Sequence, residues 1–327
     1  MSYCIRGISV VVPVYNSESV LKSLLDRLHP VLESTGRLYE VILVNDGSSD
    51  KSWPMIQAEC ASEDWIRGIN LMRNYGQHSA LLCGIRAARY DITVTMDDDL
   101  QNPPEEIPRL LMALGNYCDV VYGVTHEPHH GTLRKLASIS VKFFIKKALG
   151  AAIPYKASSF RVFRTQLRET FKDYSGPDVS IDVLLTWGAR NLSSLSVRQD
   201  RRLAGRSNYT FAALVGHALN MITGFSSLPL RLASLLGFAF MLFGIAVLIY
   251  VLGRYFIQGA IVPGFAFIAS IISIFAGVQL FSLGIIGEYI ARIHFRTMDR
   301  PPYSIREESS PRSKPCLSSM DGSHGDS

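Results

Sequence analysis

The sequence predicts an open α/β domain followed by a pair of membrane-spanning helices, and two features of its hydrophobicity pattern support this. The first part of the 327-residue chain alternates short, nearly continuous apolar runs with longer amphipathic stretches. Such runs are typical of strands buried on both faces of a mostly parallel sheet, with helices between them. Further along, two long stretches carry no charged residue, and each is about the 20 residues that a bilayer crossing needs.

The pattern predicts five strands and four helices in the head of the protein. The strands are expected at residues 8–14, 39–45, 66–72, 92–96 and 119–123, and the helices at 19–32, 54–61, 79–88 and 105–114. In an open α/β sheet, ligands bind outside the carboxyl ends of the strands. Three polar clusters lie at those ends: Tyr15 with Asn16, residues 45–48, and residues 97–99. The clusters therefore predict a binding site at one edge of the sheet.

The third cluster is an acidic triplet, Asp97, Asp98 and Asp99, and two prolines soon after it stop the strand from continuing. Carboxylates this close repel one another unless a cation lies among them, and hard oxygen ligands suit Mg²⁺ or Mn²⁺ together with substrate phosphates. Alternation along an extended chain would turn Asp97 and Asp99 to one side and Asp98 to the other. The alternative is a solvated acidic turn that caps the helix beginning near Glu105.

Composition sets further bounds on function. A net charge of +5 does not by itself indicate nucleic acid as a partner. The five cysteines are scattered without a CxxC pair, which favours reduced thiols facing the cytosol over disulfides. The chain passes from Met1 almost directly into a strand, so no signal peptide is predicted.

The charge-free stretches are residues 232–253 and 264–286, and buried core helices are the alternative to membrane spans. Basic residues flank the pair on both sides, so the positive-inside rule places both flanks in the cytoplasm. The flanking basic residues are Arg201, Arg202, Arg206 and Arg231 before the pair, and Arg292, His294, Arg296 and Arg300 after it. We therefore expect a membrane protein with a large cytoplasmic head.

This pattern divides the chain into four parts. Residues 1–208 form the head, 209–229 a juxtamembrane amphipathic helix, 230–291 the two spans, and 292–327 a cytoplasmic tail whose end, from Glu307, is predicted to be disordered. The segments 133–149 and 209–225 are amphipathic. Each is expected either to lie in the membrane interface or to pack as an ordinary helix on the head.

Four motifs occur in order along the head: VVPVYN at 11–16, NDGSSD at 45–50, RNYGQHSA at 73–80 and DDDLQNPPE at 97–105. Together they resemble the family 2 glycosyltransferases with a GT-A (Rossmann-like) fold. With the two spans, residues 8–303 are similar to the polyprenyl-phosphate glycosyltransferases, the relatives of dolichyl-phosphate mannose synthase. The RNYGQHSA and DLQNPPEEIP strings are most similar to those of the undecaprenyl-phosphate 4-deoxy-4-formamido-L-arabinose transferases.

The resemblance implies roles for particular positions. Asp97 and Asp99 match the DxD motif that holds a metal on the nucleotide diphosphate, and Gln101 matches a residue beside the donor sugar. Other positions match residues that bind the donor or its phosphates: Pro13, Tyr15 and Asp46 at the base and ribose, Arg73 and Asn74 beside that pocket, and Arg202 in the loop where phosphates meet. Each of two residues also has a purely structural alternative to its implied role. Asp46 could only close a turn, and Arg202 could be a charge at the membrane surface.

The chain departs from the family pattern at three positions. Ser17 stands where an acidic residue is usual, Asn208 where a lysine is common, and Ser159 where many relatives carry an aspartate. An inverting transferase usually needs a carboxylate base, and Asp178 and Asp182 are the nearest candidates in the sequence. A phosphate acceptor is already anionic at neutral pH, because its second pKa is about 6, and it needs no such base.

The resemblance implies inverting transfer of a sugar from a nucleotide-sugar, with a UDP-sugar favoured, to undecaprenyl phosphate at the cytoplasmic face of the bacterial inner membrane. Implied partners are the nucleotide-sugar, the polyprenyl phosphate and membrane lipid, with homo-oligomerisation left open. The product would serve lipid A or cell-envelope glycan modification. The alternatives are a processive polysaccharide synthase, whose usual Gln-x-x-Arg-Trp motif is missing here, and a non-catalytic membrane scaffold.

Overall fold

The structure is a computed structural model that describes residues 6–124, 158–176, 179–200, 228–258, 264–298 and 300–310. The predicted amphipathic segments 133–149 and 209–225 lie outside these residues, as do Arg202 and Asp178.

The described chain forms one sheet with helices on both faces, followed by two long helices. The strands are β1 (Gly7–Val14), β2 (Leu38–Asn45), β3 (Ile66–Leu71), β4 (Ile92–Thr95), β5 (Val120–Val124), β6 (Arg161–Arg164), β7 (Leu192–Ser196) and β8 (Ile305–Ser309). The helices are α1 (Leu21–Ser34), α2 (Ser52–Ser62), α3 (Gln77–Ala87), α4 (Ile107–Leu114), α5 (Ile181–Gly188), α6 (Leu228–Gln258) and α7 (Phe265–Thr297). Two 3₁₀ segments, Pro104–Glu106 and Thr165–Phe171, complete the description.

The sheet is mixed, in the order β7-β5-β6-β4-β1-β2-β3-β8. Strands β1, β2, β3 and β4 run parallel, and the fully buried β1 lies between β2 and β4. Strand β6 runs antiparallel to both β4 and β5, and β8 runs antiparallel to β3. This is the doubly wound α/β arrangement that the sequence predicted, with antiparallel strands added toward both ends.

Two hydrophobic clusters cover the two faces of the sheet. Helices α1, α2 and α4 pack on one face around Leu24, Leu28 and Ile107, all fully buried. Helices α3 and α5 pack on the other face with the Thr165–Phe171 segment. Helices α1 and α2 lie on one face, and α3, which connects β3 to β4, lies on the other. The strand order therefore reverses between the neighbouring strands β1 and β4, and a ligand crevice opens at such a switch point.

The five predicted strands and four predicted helices are all present, with ends that move by one or two residues. The prediction omitted β6, β7, β8 and α5. It was also wrong about the start of the disordered tail: Glu307, Glu308 and Ser309 belong to β8. Their backbone groups pair with β3, and this pairing orders a segment whose composition alone indicated disorder.

Helices α6 and α7 have 31 and 33 residues and pack against each other, with Phe240 and Phe275 in an edge-to-face contact at 5.9 Å between ring centroids. Residues Leu230–Arg254 and Ile274–Ala291 are long and apolar enough to cross a membrane, by length and composition. Neither stretch is buried against the rest of the described chain, in contrast to the core helices of the head.

Candidate active site

The candidate site lies where β1, β2 and β4 end together at one edge of the sheet. The register pairs Val14 with Asn45 and Val11 with Thr95, so the residues that follow each strand emerge side by side. The backbone N–H of Asp46 donates to the Val14 carbonyl at 2.9 Å and extends this alignment beyond the strands. The structure thus brings together the three polar clusters that the sequence placed at one edge.

Asp46 ties the end of β2 to the loop 73–76. Its carboxylate is buried and accepts the backbone N–H groups of Tyr75 at 2.7 Å and Gly76 at 2.9 Å. Burial raises the pKa of this carboxyl, and the two hydrogen bonds oppose that rise because they favour the charged form. Asp46 therefore positions one wall of the site and does more than close its own turn.

Gly47 allows this close approach of the two loops. Its φ is +66°, a left-handed conformation that strains residues with a Cβ. A Cβ at this position would lie 2.5 Å from the carbonyl carbon of Arg73 and 2.6 Å from the nitrogen of Asn74. Both contacts are with backbone, so a side chain here would push the 73–76 loop away. Arg73 and Asn74 are themselves exposed at this edge, and the Arg73 guanidinium lies over the Tyr75 ring at 4.8 Å.

The turn after β1 contributes the opposite wall. Pro13 is buried within the strand, whereas the Tyr15 side chain is 52% exposed. Asn16 adopts a φ of 53°, and its side-chain oxygen accepts the backbone N–H of Ser49 at 2.8 Å. The turns after β1 and β2 are therefore fastened to each other.

The acidic triplet occupies the end of β4, and its members contact different elements. Asp97 accepts hydrogen bonds from Gln77 at the start of α3 and from Ser159 just before β6. Asp98 is directed to the turn after β1, where it accepts from the Ser17 hydroxyl and from the Tyr15 N–H at 3.4 Å.

The chain leaves the extended conformation after Thr95 and turns at residues 98 and 99. Asp97 and Asp98 contact different elements, as the predicted alternation requires, and the side that Asp99 faces stays a prediction. Asp99 accepts from the Gln101 N–H at 3.1 Å inside this turn.

Burial and neighbouring negative charge both act on the central carboxyl group of the triplet. Burial raises the pKa of Asp98 to about 6; the hydrogen bond from Ser17 opposes this shift, while the negative charges of Asp97 and Asp99 add to it. Among the residues that the structure describes, no three His, Cys, Asp or Glu side chains form a complete metal cage. Two carboxylates suit Mg²⁺ or Mn²⁺ when nucleotide phosphates and water supply the remaining oxygens. Asp97 and Asp99 fit that requirement.

Behind the triplet lies a buried ion pair. Arg161 in β6 is 1% exposed and pairs with the Asp182 carboxylate in α5. The same guanidinium donates to the Thr95 hydroxyl at 3.1 Å and to the Ser159 carbonyl at 3.4 Å. Asp182, one of the two candidate bases from the sequence, is thus the counter-ion of Arg161.

Gln101 links the acidic turn to the segment that precedes Arg202. Its carbonyl accepts the backbone N–H of Asp200 at 2.9 Å, and its side-chain oxygen accepts from Gln199 at 3.5 Å. Asp200 in turn pairs with Arg27 at 3.2 Å. The last described residue of this segment therefore lies beside the site, two positions before Arg202.

Sequence reasoning missed two contributors to the site. The sequence gives Gln77 no role of its own within the RNYGQHSA motif, although it follows Gly76, whose φ of +90° marks the sharp start of α3. Ser17 differs from the family pattern, and the sequence gives it no further role. The signal for both was their position directly after a strand-end turn.

The mixed, doubly wound sheet of this chain, with the acidic turn at the end of β4, is a GT-A-like fold. Residues 9–171 match the family model "Glycosyl transferase family 2". The chain therefore carries a family 2 glycosyltransferase domain and is a glycosyltransferase, so the enzyme class predicted from its motifs is confirmed.

The head is similar to solved structures at low identity. One is glucosyl-3-phosphoglycerate synthase from Mycobacterium tuberculosis in complex with Mn²⁺, uridine diphosphate and glucosyl-3-phosphoglycerate. The match has a TM-score of 0.47 and 23% sequence identity, and it covers 67% of this chain and 78% of that chain. A complex of the same protein with Mn²⁺, UDP-glucose and phosphoglyceric acid gives 22% identity over the same shares, also at TM-score 0.47. Residues 1–349 of TarS from S. aureus give TM-score 0.41 and 21% identity, covering 58% of each chain.

Proposed function

We propose that this protein transfers a sugar from a nucleotide-sugar, with a UDP-sugar favoured, to polyprenyl phosphate at the cytoplasmic face of a bacterial inner membrane. One observation carries the proposal beyond the general activity. The family 2 head is followed by two apolar helices, and the chain then returns to the same sheet as β8.

The return of the chain supports a membrane hairpin whose two flanks lie on the same side. Helix α7 ends at Thr297 and β8 begins at Ile305, already paired with β3 of the head. If α6 and α7 both cross the bilayer, the residues after α7 must be on the side of the head. The positive-inside rule gives the same arrangement from the flanking arginines, and nucleotide-sugars are available on that side.

At the site, the residues have separable tasks. Asp46 and the 73–76 loop form the wall where the nucleotide would bind, and Asp97 and Asp99 would hold Mg²⁺ or Mn²⁺ on its diphosphate. Such an ion supplies Lewis-acid stabilisation of the charge that grows on the leaving diphosphate. Gln77 and Ser159 orient Asp97 through their hydrogen bonds, and Gln101 orients Asp99 through its backbone N–H.

Ser159 stands where many relatives have an aspartate, and a phosphate acceptor explains why the reaction needs no carboxylate base at this position. The second pKa of a phosphate monoester is about 6, so its attacking oxygen is anionic at pH 7 without a base. The harder task is to bring the acceptor phosphate close to the diphosphate of the donor, because both are negatively charged. An arginine suits this task because its planar donors pair with phosphate oxygens. Arg202 follows closely after Asp200, whose N–H is bonded to Gln101 at the acidic turn, which supports this role.

The test is to supply membranes containing the full chain with undecaprenyl phosphate and a panel of nucleotide-sugars, and to analyse the lipids by mass spectrometry. We expect one nucleotide-sugar to give a lipid whose mass equals the acceptor plus one sugar, with release of one nucleoside diphosphate. The Asp97→Asn protein should give none. A water-soluble polymer would instead identify a processive synthase, and no release of nucleoside diphosphate with any donor would identify a scaffold.

A further inference from the structure

The strand that follows the second apolar helix is attached to the start of the 73–76 loop. The backbone N–H of Met72 donates to the Ser304 carbonyl at 2.9 Å, and the Arg306 guanidinium donates to the Met72 carbonyl at 3.1 Å. Met72 is the residue between β3 and the loop. Both of its backbone groups are therefore held by residues from the far end of the chain.

A row of polar side chains makes a second connection across three strands. Asn70 in β3 donates to the Glu307 carboxylate at 3.1 Å and accepts from Asn45 in β2 at 2.8 Å. A carboxylate can only accept, so Glu307 requires Asn70 to present its amide nitrogen to β8 and its oxygen to Asn45. Asn45 is 2% exposed and immediately precedes Asp46, the residue that holds the loop.

Two further contacts fix the same segment from the side of α3. The Ser304 side chain lies close to the Tyr75 phenol and is the largest cause of the lowered pKa of Tyr75. The half-buried Tyr303 ring lies 5.7 Å from the Arg86 guanidinium, which also reaches its hydroxyl at 3.5 Å. Residues 303–309 thus bond to Asn70 in β3 and to Met72, which precedes the loop, and they come close to Tyr75 within the loop.

We propose that residues 303–309 position the 73–76 loop for the donor nucleotide, with Ser304 and Glu307 as the positioning residues. Nucleotide affinity then depends on a segment reached only through the two apolar helices. This inference rests on the proposed donor site, because it assigns the 73–76 loop to the nucleotide.

The experiment uses the full chain purified in detergent, with uridine diphosphate and Mn²⁺ as the probe. The variants are Glu307→Ala and Ser304→Ala, with Glu307→Gln as the conservative variant because it keeps an acceptor oxygen. Glu308→Ala is the matched control, since Glu308 is an exposed neighbour in the same strand that pairs with Ile69 and not with Asn70. Calorimetry gives the Kd, and hydrogen exchange reports on the amides of Tyr75 and Gly76.

For Glu307→Ala and for Ser304→Ala we expect Kd to rise about fivefold, the effect of losing one polar side-chain contact, to Asn70 or to Tyr75 respectively. Exchange should accelerate at Tyr75 and Gly76, while the midpoint of thermal unfolding, and the kcat at saturating donor, stay near those of the wild type. Glu307→Gln and Glu308→Ala should behave like the wild type.

Two results would overturn the inference. One is unchanged affinity and unchanged loop exchange in Glu307→Ala and Ser304→Ala. The other is weakened binding that comes with faster exchange throughout the sheet, or that appears equally in Glu308→Ala, because the strand would then only support overall stability. If the wild type fails to bind uridine diphosphate, the proposed donor is wrong, and exchange at Tyr75 and Gly76 still tests whether β8 orders the loop.

Discussion

Replacing Asp182 distinguishes a catalytic base from the partner of a buried arginine. Arg161 is 1% exposed, so Asp182→Ala leaves an almost fully desolvated guanidinium without its counter-ion. Removing one partner of a buried pair costs about 3–5 kcal/mol. Because the Asp182 side chain keeps 19% of its exposure, we expect the lower end, about 3 kcal/mol. At about 2–4 °C per kcal/mol for a domain of this size, the unfolding midpoint should fall by roughly 6–12 °C.

The assay measures thermal unfolding of the full chain by fluorescence and kcat at a temperature where each variant is folded. We expect Asp182→Ala to lose stability but to keep kcat within about threefold, well short of the 10²–10⁴-fold effect of a general base. Asp182→Asn, which keeps an acceptor for Arg161, should lose less stability, and Asp173→Ala, which removes an exposed carboxylate, should lose almost none. If Asp182→Asn keeps the wild-type midpoint of thermal unfolding but loses about 100-fold in kcat, this reasoning is refuted and Asp182 acts as a general base.

Three other predictions follow from the site and the hairpin. Asp97→Ala and Asp99→Ala should each reduce kcat about 10²-fold or more, the effect of losing a main electrostatic group, and chelation by EDTA should abolish turnover until Mn²⁺ is restored. Gly47→Ala should weaken binding of uridine diphosphate about tenfold, measured by calorimetry, because left-handed backbone strain of about 1–2 kcal/mol adds to the clash with the 73–76 loop. A single cysteine at Gly259 should react with an impermeant maleimide on intact cells, while one at Asn191 should not; the reverse pattern would invert the hairpin.

The sequence predicted β1 to β5 because each is a run of apolar residues buried by helices on one or both faces. The missing strands lack that signal. Strand β7 reads LSSLS and β8 reads IREES, and β8 is almost entirely exposed. Such strands are determined by the neighbours whose backbone groups they pair with, which no local pattern reveals. Strand β6 reads RVFR, a fragment too short for its period to be distinguished.

The site residues that directly follow a strand were predictable from the sequence. The side-chain pairs that join distant elements were not. Tyr15, Asp46 and Asp97 follow directly from the rule that ligands meet the carboxyl ends of parallel strands. The pairing of Arg161 with Asp182 joins β6 to α5, two elements that the pattern did not predict. The sequence therefore offers Asp182 as a candidate base, and its place as the partner of a buried arginine is visible only in the structure.

The position of β8 in the chain also bears on how the head is completed. Asn70 and Glu307 are 237 residues apart in sequence, and both apolar helices lie between them. Until residue 305 has been synthesised, β3 is an edge strand with unpaired N–H and C=O groups, which is a site for pairing with other chains. The apolar helices are made before β8, so the hairpin precedes closure of this edge. Glu307 and Glu308 then place charge on the new edge of the sheet, where like charges oppose pairing with another copy.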